Sequence, residues 1–203
     1  DTAISINSIA VYYNVLGDPQ RALKLAQKAL EIQSELFGEK HPEIAKSFSD
    51  IAFYYKALNN PQRAIDLAEK ALVIRRELFG DKHPETARSM NDIAHCYDSL
   101  GDPRQALEFA KKALEIQQEF FGDKHPDTAA YLYNMAIYFR KLNNPNQAYA
   151  CAQKAFEIEK QIFGPQNPTT MKTAKLLSQI HRPGFRTVSV KKSDSKKKNK
   201  SSR

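Results

Sequence analysis

Apolar and small residues recur along the chain at the spacing of a helix face, and the pattern returns every 42 residues. Within one copy they occupy positions 45, 48, 51, 52, 55 and 58, which places all six on one side of a helix. Each copy therefore predicts a helix with one inward face. The four sets are Ala3, Ile6, Ile9, Ala10, Tyr13 and Leu16; Ala45, Phe48, Ile51, Ala52, Tyr55 and Leu58; Ala87, Met90, Ile93, Ala94, Tyr97 and Leu100; and Ala129, Leu132, Met135, Ala136, Phe139 and Leu142.

A second, alanine-rich set follows each of the first three helices and predicts an antiparallel partner helix. Small side chains at these positions let the two helices lie close together. The sets are Ala22, Ala26, Ala29, Leu30 and Phe37; Ala64, Ala68, Ala71, Leu72 and Phe79; and Ala106, Ala110, Ala113, Leu114 and Phe121. Each unit of the repeat is thus predicted to be a pair of helices.

Glycine, asparagine and proline mark the predicted helix ends. Six of the seven glycines lie at such ends. Asn59 and Asn143 take the places that Gly17 and Gly101 hold in the other units, because asparagine tolerates the left-handed backbone found there. Eight of the ten prolines occupy two repeat positions, each directly after an Asp, Asn or His. A capping residue followed by proline is typical of the first turn of a helix.

Repetition at this length predicts an all-α solenoid, in which each unit buries its apolar face only by stacking on its neighbours. We expect the array to occupy residues 1–182. Its parts are a first unit at 1–38 that lacks its leading His-Pro, full units at 39–80, 81–122 and 123–164, and a capping helix at 165–182. In the cap, Met171, Ala174 and Leu177 continue the inward pattern, whereas Ser178 and His181 make the last turn polar. Binding, rather than catalysis, is the leading expectation for such an array.

Several motifs resemble one repeat family. They are the Leu16-Gly17 turn, the first-helix residues Ala10 and Tyr13, the second-helix residues Ala22 and Ala29-Leu30, and the linker Phe-Gly-Asp-Lys-His-Pro. Residues 1 to about 182 resemble the 42-residue tetratricopeptide repeats of the kinesin light chain type. The resemblance implies a right-handed α-solenoid whose first helices line a concave groove that holds a short extended peptide or a partner helix. The implied groove residues are Asn7, Lys46, Phe53, Lys56, Arg88, Asn91, His95, Tyr133, Asn134, Arg140, Lys141 and Lys175.

Asparagine is the residue by which this family commonly holds a peptide backbone. One amide side chain can bind both the N–H and the C=O of an extended ligand. Asn7, Asn91 and Asn134 lie at the family's position, two or three residues before the core alanine, whereas Ser49 and Tyr133 depart from it. The carboxylate-clamp pattern of chaperone-binding repeats is not matched.

The charges of the implied groove predict the character of the ligand. Its cations face one acid, Asp98, so an acidic or phosphorylated segment is expected to be attracted and held. Phe53, Tyr133 and Ile137 offer contacts for one or two large apolar residues of the ligand. We therefore expect the protein to be a protein-protein interaction adaptor that has no small-molecule substrate. The alternative for these charges is a solvated helix face.

Most of the net positive charge lies at the end of the chain. The net charge is +8, of which residues 183–203 carry +7, through eight basic residues and Asp194. This Lys- and Ser-rich segment is expected to be disordered, because it has few apolar residues to bury. It could be a solubilising tail, a nuclear-import or nucleic-acid contact, or a contact with an anionic membrane. An architectural module that stacks on itself or on further repeats, with this tail as its binding element, is the second hypothesis.

Other functional classes find little support in the sequence. His41, His83 and His125 lie on separate units without repeated ligands beside them, so we interpret them as caps rather than metal ligands. No nucleophile, paired carboxylates or Gly-rich phosphate loop is present, so neither an enzyme nor a cofactor is expected. Cys96 and Cys151 are expected to be reduced thiols in the core of an intracellular protein. The chain has no apolar leader or membrane span, which predicts a cytoplasmic protein, or a nuclear one through its tail.

Overall fold

The computed structural model describes residues 2–180, and within this range every regular element is an α-helix. The helices are α1 (Thr2–Val15), α2 (Pro19–Phe37), α3 (Pro42–Ala57), α4 (Pro61–Phe79), α5 (Pro84–Leu100), α6 (Pro103–Phe121), α7 (Pro126–Lys141), α8 (Pro145–Phe163) and α9 (Pro168–Gln179). The all-α prediction is confirmed. The prediction of a disordered basic tail at 183–203 falls outside the described residues, and the unit boundaries stay a prediction.

The helices from α2 onward begin at proline, directly after a capping residue, as the sequence predicted. Each of α2 to α9 has proline in its first turn. Before the second helices, an Asp or Asn side chain accepts a hydrogen bond from a backbone N–H of the first turn, as Asp102 does from Gln105 at 3.0 Å. Before α3, α5 and α7, the Nδ1 atoms of His41, His83 and His125 accept from the backbone N–H two residues later, each at 3.2 Å. The capping role predicted for these histidines is confirmed.

Two of the turns require a left-handed backbone that asparagine supplies instead of glycine. Asn59 has a φ of 57° and Asn143 a φ of 56°, and the equivalent Gly17 and Gly101 have φ values of 83° and 90°. Asparagine is among the few residues other than glycine that adopt this region at modest cost. The glycine and asparagine turns that alternate along the chain therefore have the same left-handed backbone.

The helices pack in chain order, and α3 also contacts α5. Each unit buries its core alanine, as the apolar pattern predicted. These residues are Ala10, Ala52, Ala94 and Ala136. The largest apolar cluster runs without a break from Ala52 to Ile180. A core shared by successive helices is what a solenoid needs, because each unit buries its apolar face by stacking on its neighbours.

The predicted inward faces are wrong along α1 and at the ends of several other helices. Ile9, Leu16 and Leu100 are exposed, because nothing in residues 2–180 covers the outer side of α1 or the last residue of α5. Phe37, Phe79 and Phe121 are about half exposed, since each lies in the last turn of its helix. Their rings stack on those of His41, His83 and His125, with centroids 4.3, 4.7 and 4.2 Å apart, and so cover the linkers.

The capping helix α9 turns a different side inward from the one predicted. Thr170, Thr173 and Leu176 are buried, whereas Met171 is 54% exposed. In the earlier units the position of Met171 is an alanine enclosed between neighbouring helices. Among the described residues α9 packs chiefly on α8, so this position faces outward. His181 falls outside the described residues.

Candidate functional site

The side chains predicted to line the groove all lie on first helices. We call the surface formed by α1, α3, α5, α7 and α9 the first-helix face. Lys46, Phe53, Arg88, Arg140, Lys141 and Lys175 are exposed on it, and Asn7, Lys56, Asn91, His95, Tyr133 and Asn134 are partly buried. The structure brings residues of α5 and α7 into direct contact, but Asn7 is isolated from the other asparagines and contacts Ser47, at 3.4 Å.

A polar network joins α5 to α7 at the middle of this face. The Nδ2 atom of Asn134 donates to Oδ1 of Asn91 at 3.2 Å and lies 3.2 Å from Nε2 of His95. The Nδ1 atom of His95 lies 3.2 Å from the hydroxyl of buried Tyr138. Since Nε2 accepts from an amide, the proton of the neutral ring is on Nδ1, which donates to Tyr138. The network leaves the Asn91 amide nitrogen as a donor and the Asn134 carbonyl oxygen as an acceptor for other groups.

His95 therefore lies at the centre of this network, where it joins Asn134 to Tyr138. Burial, with the nearby charge of Lys56, lowers its pKa from 6.5 to about 4. A neutral imidazole is what the network requires, because a protonated ring would present a donor to the Asn134 amide. The predicted role of His95 as a direct ligand contact is not tested by this geometry.

Two pockets open on the first-helix face at equivalent positions of the repeat. The first, the α3–α5 pocket, has a volume of about 400 Å³. Its charged lining residues are Glu43, Lys46, Asp50, Arg75, Glu85, Arg88 and Asp92. Four of these are acids and three are cations. The expectation that Asp98 is the single acid of the groove is wrong, because helix periodicity also brings Asp50 and Asp92 to this side of α3 and α5.

The floor of the α3–α5 pocket is Arg75, from the second helix α4. Its Nη1 atom donates to Ser89 at 2.6 Å and to Ser49 at 3.1 Å, and its Nε lies 3.4 Å from Glu85. Burial lowers the pKa of Arg75, and burial raises the pKa of Asp92 to about 6. Burial likewise raises the pKa of Asp50. The pocket is thus an internally compensated set of charges around a buried guanidinium.

The second pocket lies between α7 and α9 and has a volume of about 290 Å³. It is lined by Pro126, Ala130, Tyr133, Asn134, Glu159, Phe163, Thr169, Lys172 and Thr173. Its floor is Glu159, which lies 84 positions after Arg75 and so occupies the same place in the repeat. Glu159 is 2% exposed, and its Oε2 atom is buried with no hydrogen-bond partner among the described residues. We call this the α7–α9 pocket.

Arg75 and Glu159 belong to a row of buried polar residues that the apolar patterns did not reveal. The row is Gln33, Arg75, Gln117 and Glu159, each 42 positions after the last and each nearly inaccessible. Two members bond to a serine 14 positions later, Gln33 to Ser47 and Arg75 to Ser89, both at 2.6 Å. The sequence does contain a signal for this row, because the second helix of each unit has a polar residue at the same repeat position.

Some cations of the first-helix face are already engaged. Lys141 pairs with Asp98 at 2.6 Å, Arg88 with Glu85 at 3.4 Å, and Arg140 donates to Gln179 at 3.2 Å. Lys172 lies over the ring of Tyr133, 4.7 Å from its centroid. Within residues 2–180, Lys46, Lys172 and Lys175 have no carboxylate oxygen within 4.0 Å and so remain available to an anionic ligand.

Residues 2–180 contain no group of three or more His, Cys, Asp or Glu side chains placed to hold a metal ion. None of the described helices is long and apolar enough to cross a membrane. Cys96 is a buried free thiol whose pKa is raised to about 11 by burial, and Cys151 is free and partly buried.

Comparison with known proteins agrees with this architecture. A tetratricopeptide repeat family model matches residues 1–77, 60–119 and 105–158. No curated protein matches the chain.

Solved structures of repeat proteins superimpose on most of it. The TPR-like repeats of a kinesin light chain protein from Podosopora anserina share 22% identity and a TM-score of 0.72, over 87% of this chain and 83% of that one. BtubC of P. vanneervenii shares 21% identity and a TM-score of 0.74, over 86% and 70% of the two chains. The apo form of RapI shares 20% identity and a TM-score of 0.71, over 89% and 63%. Likeness at this identity establishes the fold, and the family matches, which together span residues 1–158, establish that the chain belongs to the tetratricopeptide repeat family.

Proposed function

We propose that this protein is an adaptor whose first-helix face binds an extended peptide segment of another protein. Tetratricopeptide repeat proteins generally act as protein-interaction scaffolds. The observation that carries the proposal is the Asn91–Asn134 pair, which leaves one amide donor and one carbonyl acceptor side by side on this face. An extended backbone offers the complementary C=O and N–H, so the pair binds a peptide independently of its side chains.

The cations of the face support an acidic or phosphorylated ligand, and they place its acidic residues toward one end. Lys172 and Lys175 lie on α9 without an ion pair within the described range, whereas the α3–α5 pocket already contains four acids. An acidic segment is therefore attracted more strongly to α7 and α9 than to α3 and α5, where most cations already have acidic neighbours. Tyr133 and Ile137, both partly buried on α7, offer apolar contact beside the asparagine pair.

A binding screen with matched variants tests this proposal. Peptides of 12 residues selected from a random display library are measured by fluorescence polarisation against the full chain. Asn91→Ala should weaken binding about fivefold or more, since it removes hydrogen bonds worth about 1 kcal/mol or more, and Lys175→Glu, which reverses an exposed charge, should weaken binding several-fold. Lys111→Glu, the same charge change on the exposed side of α6, is the control and should leave affinity unchanged. Equal binding by all variants, unaffected by salt, would exclude this face as the site.

A separate observation favours the second hypothesis, an architectural module. Four apolar residues of α1 and of the turn that follows it are largely exposed, namely Ile4 (62%), Tyr12 (69%), Val15 (75%) and Leu16 (80%). Clusters of exposed apolar side chains commonly mark contact surfaces. If copies stack through α1, Tyr12→Ser/Leu16→Ser should lower the mass measured by light scattering, and a chain that ends before Pro183 should keep it. Loss of association on that truncation would instead assign binding to the tail.

A further inference from the structure

We propose that the α7–α9 pocket receives an arginine side chain of the bound peptide, with Glu159 as its counter-charge. The inference rests on the proposed peptide-binding function and names one residue that the peptide supplies. It starts from the buried, unpartnered Oε2 atom of Glu159 at the floor of a pocket of about 290 Å³. An incompletely paired buried carboxylate is costly, so a ligand that pairs with it gains affinity.

The surroundings of Glu159 only partly compensate its charge. Burial raises its pKa, and a hydrogen bond from Thr173 and the charge of Lys172 act in the opposite direction. Lys172 is exposed, and its ammonium lies over the ring of Tyr133 at the mouth of the pocket rather than within 4.0 Å of the carboxylate. The floor of the pocket therefore lacks a close cation among the described residues.

The chain itself provides the precedent for a guanidinium at this place. Arg75 fills the equivalent position of the α3–α5 pocket, where it donates to Ser49 and Ser89 and pairs with Glu85. The spacing between first helices thus accommodates a guanidinium with its bonds satisfied. In the α7–α9 pocket the floor residue is shorter and of opposite charge, so the cation has to come from outside the pocket.

Arginine fits the lining better than lysine or a neutral side chain does. Its planar group carries five N–H donors in a fork that matches a carboxylate, whereas lysine presents a point charge. The Asn134 carbonyl oxygen, unused in the network with Asn91 and His95, offers a further acceptor. The ring of Tyr133 offers a face for the guanidinium, which would displace the ammonium of Lys172 from it. Lys172 is then free to meet an acidic residue of the same peptide.

Nuclear magnetic resonance titration of the ¹⁵N-labelled full chain tests the pocket with a minimal probe. The probe is Nα-acetyl-arginine methylamide, and its neutral isostere is the citrulline derivative. We expect the arginine probe to shift the amide signals of Thr169, Lys172 and Thr173, and the citrulline probe to bind at least tenfold more weakly. Glu159→Gln should weaken binding of the arginine probe about tenfold or more, as loss of a charge-assisted pair does. The control Glu157→Gln removes an exposed carboxylate two positions away on α8 and should leave it unchanged.

Lys172→Met provides a second variant that does not alter the buried carboxylate. It removes the ammonium that competes for Tyr133 and Glu159, so arginine should bind several-fold more tightly. Equal binding of arginine and citrulline, retained binding in a folded Glu159→Gln chain, or weaker binding in Lys172→Met would each overturn the assignment.

The selected library peptides separate this inference from the proposed function. Peptides that lack arginine and bind the wild type and Glu159→Gln equally would remove the arginine pocket and leave the adaptor proposal intact. Binding of the arginine probe, together with failure of every peptide, would remove the adaptor proposal and leave the pocket assigned.

Discussion

The α3–α5 and α7–α9 pockets share a backbone plan but differ in the charge of one buried side chain. Arg75 forms the floor of the first, with bonds to two serines and a nearby carboxylate. Glu159 forms the floor of the second and keeps one buried oxygen without a bond among the described residues. The same backbone plan can thus carry a floor residue of either charge, and other lining positions change with it, such as Asp50 to Asn134 and Glu85 to Thr169.

The comparison also separates stability from binding. A buried charge with its partners in place fixes how neighbouring units stack, whereas an uncompensated one lowers stability and becomes available to a ligand. The α3–α5 pocket illustrates the first case and the α7–α9 pocket the second.

Removing the guanidinium of Arg75 should have the largest effect. Arg75→Leu leaves Asp50, Glu85 and Asp92 together without their buried cation, so the free energy of unfolding should fall by about 3 kcal/mol. Urea denaturation followed by circular dichroism measures it. The control is Arg76→Leu on the same helix, whose exposed pair with Asp81 should contribute less than about 0.5 kcal/mol.

The matching substitution in the other pocket should not lower stability. Glu159→Leu replaces a carboxylate that lacks a full set of partners by an apolar side chain, so stability should stay equal or rise by up to about 1 kcal/mol. Comparable losses in Arg75→Leu and Glu159→Leu would mean that both floor residues are structural and that the contrast between the pockets is wrong.

Asp92 should give a pH-dependent effect of intermediate size. Its pKa is raised from 3.8 to about 6 by burial, so between these values the folded chain binds a proton that the unfolded chain has lost. Stability therefore falls as pH rises from about 4 to above 6. Asp92→Asn should remove this loss and be about 1–2 kcal/mol more stable than the wild type at pH 8, with no gain at pH 4.

Thermal denaturation at several pH values measures this difference, and Asp66→Asn, an exposed change on α4, is the control. A difference between Asp92→Asn and the wild type that does not depend on pH would show that the carboxylate titrates normally and that the α3–α5 pocket is solvated.

The repeat and its helices could be predicted from the sequence because they depend on local, periodic signals. Proline after a cap, as at His83-Pro84, determines where a helix begins whatever packs against it. Left-handed Asn59 and Asn143 follow in the same way from the turn. These signals repeat every 42 residues, so each unit supported the interpretation of the others.

The pockets could not be predicted to the same extent, because they depend on which unit contacts which. Asp50 and Asp92 lie on the first-helix face through the three-dimensional spacing of α3 and α5, and apolar patterns do not report acids. The burial of Glu159 follows from the packing of α8 against its neighbours, and a charged residue in a helix does not by itself indicate burial. The exposure of Met171 likewise depends on what lies beyond α9.

His95, between the two pockets, should give a smaller effect with the opposite pH dependence to that of Asp92. Its pKa is lowered from 6.5 to about 4, so between these values the unfolded chain holds a proton that the folded chain lacks. Its stability contribution is present above about 6.5 and is lost as pH falls. His95→Gln should cost about 1 kcal/mol at pH 7 and flatten the loss between pH 6.5 and 4. A His95 ring signal that titrates near pH 6.5 in NMR spectra would contradict this.

The smallest predicted contrast compares two buried threonines at one repeat position. Thr86, on α5, donates to the carbonyl oxygen of Gly80 at 2.7 Å, whereas the hydroxyl of Thr170, on α9, is buried with no partner among the described residues. The Gly164 carbonyl instead accepts from the backbone N–H of Asn167 at 3.4 Å. Thr86→Val should therefore cost about 1 kcal/mol, and Thr170→Val should be neutral or slightly stabilising. Urea denaturation of both variants measures the difference, and equal losses would mean that Thr170 has a bonded partner and that the cap is as fully satisfied as the unit around α5.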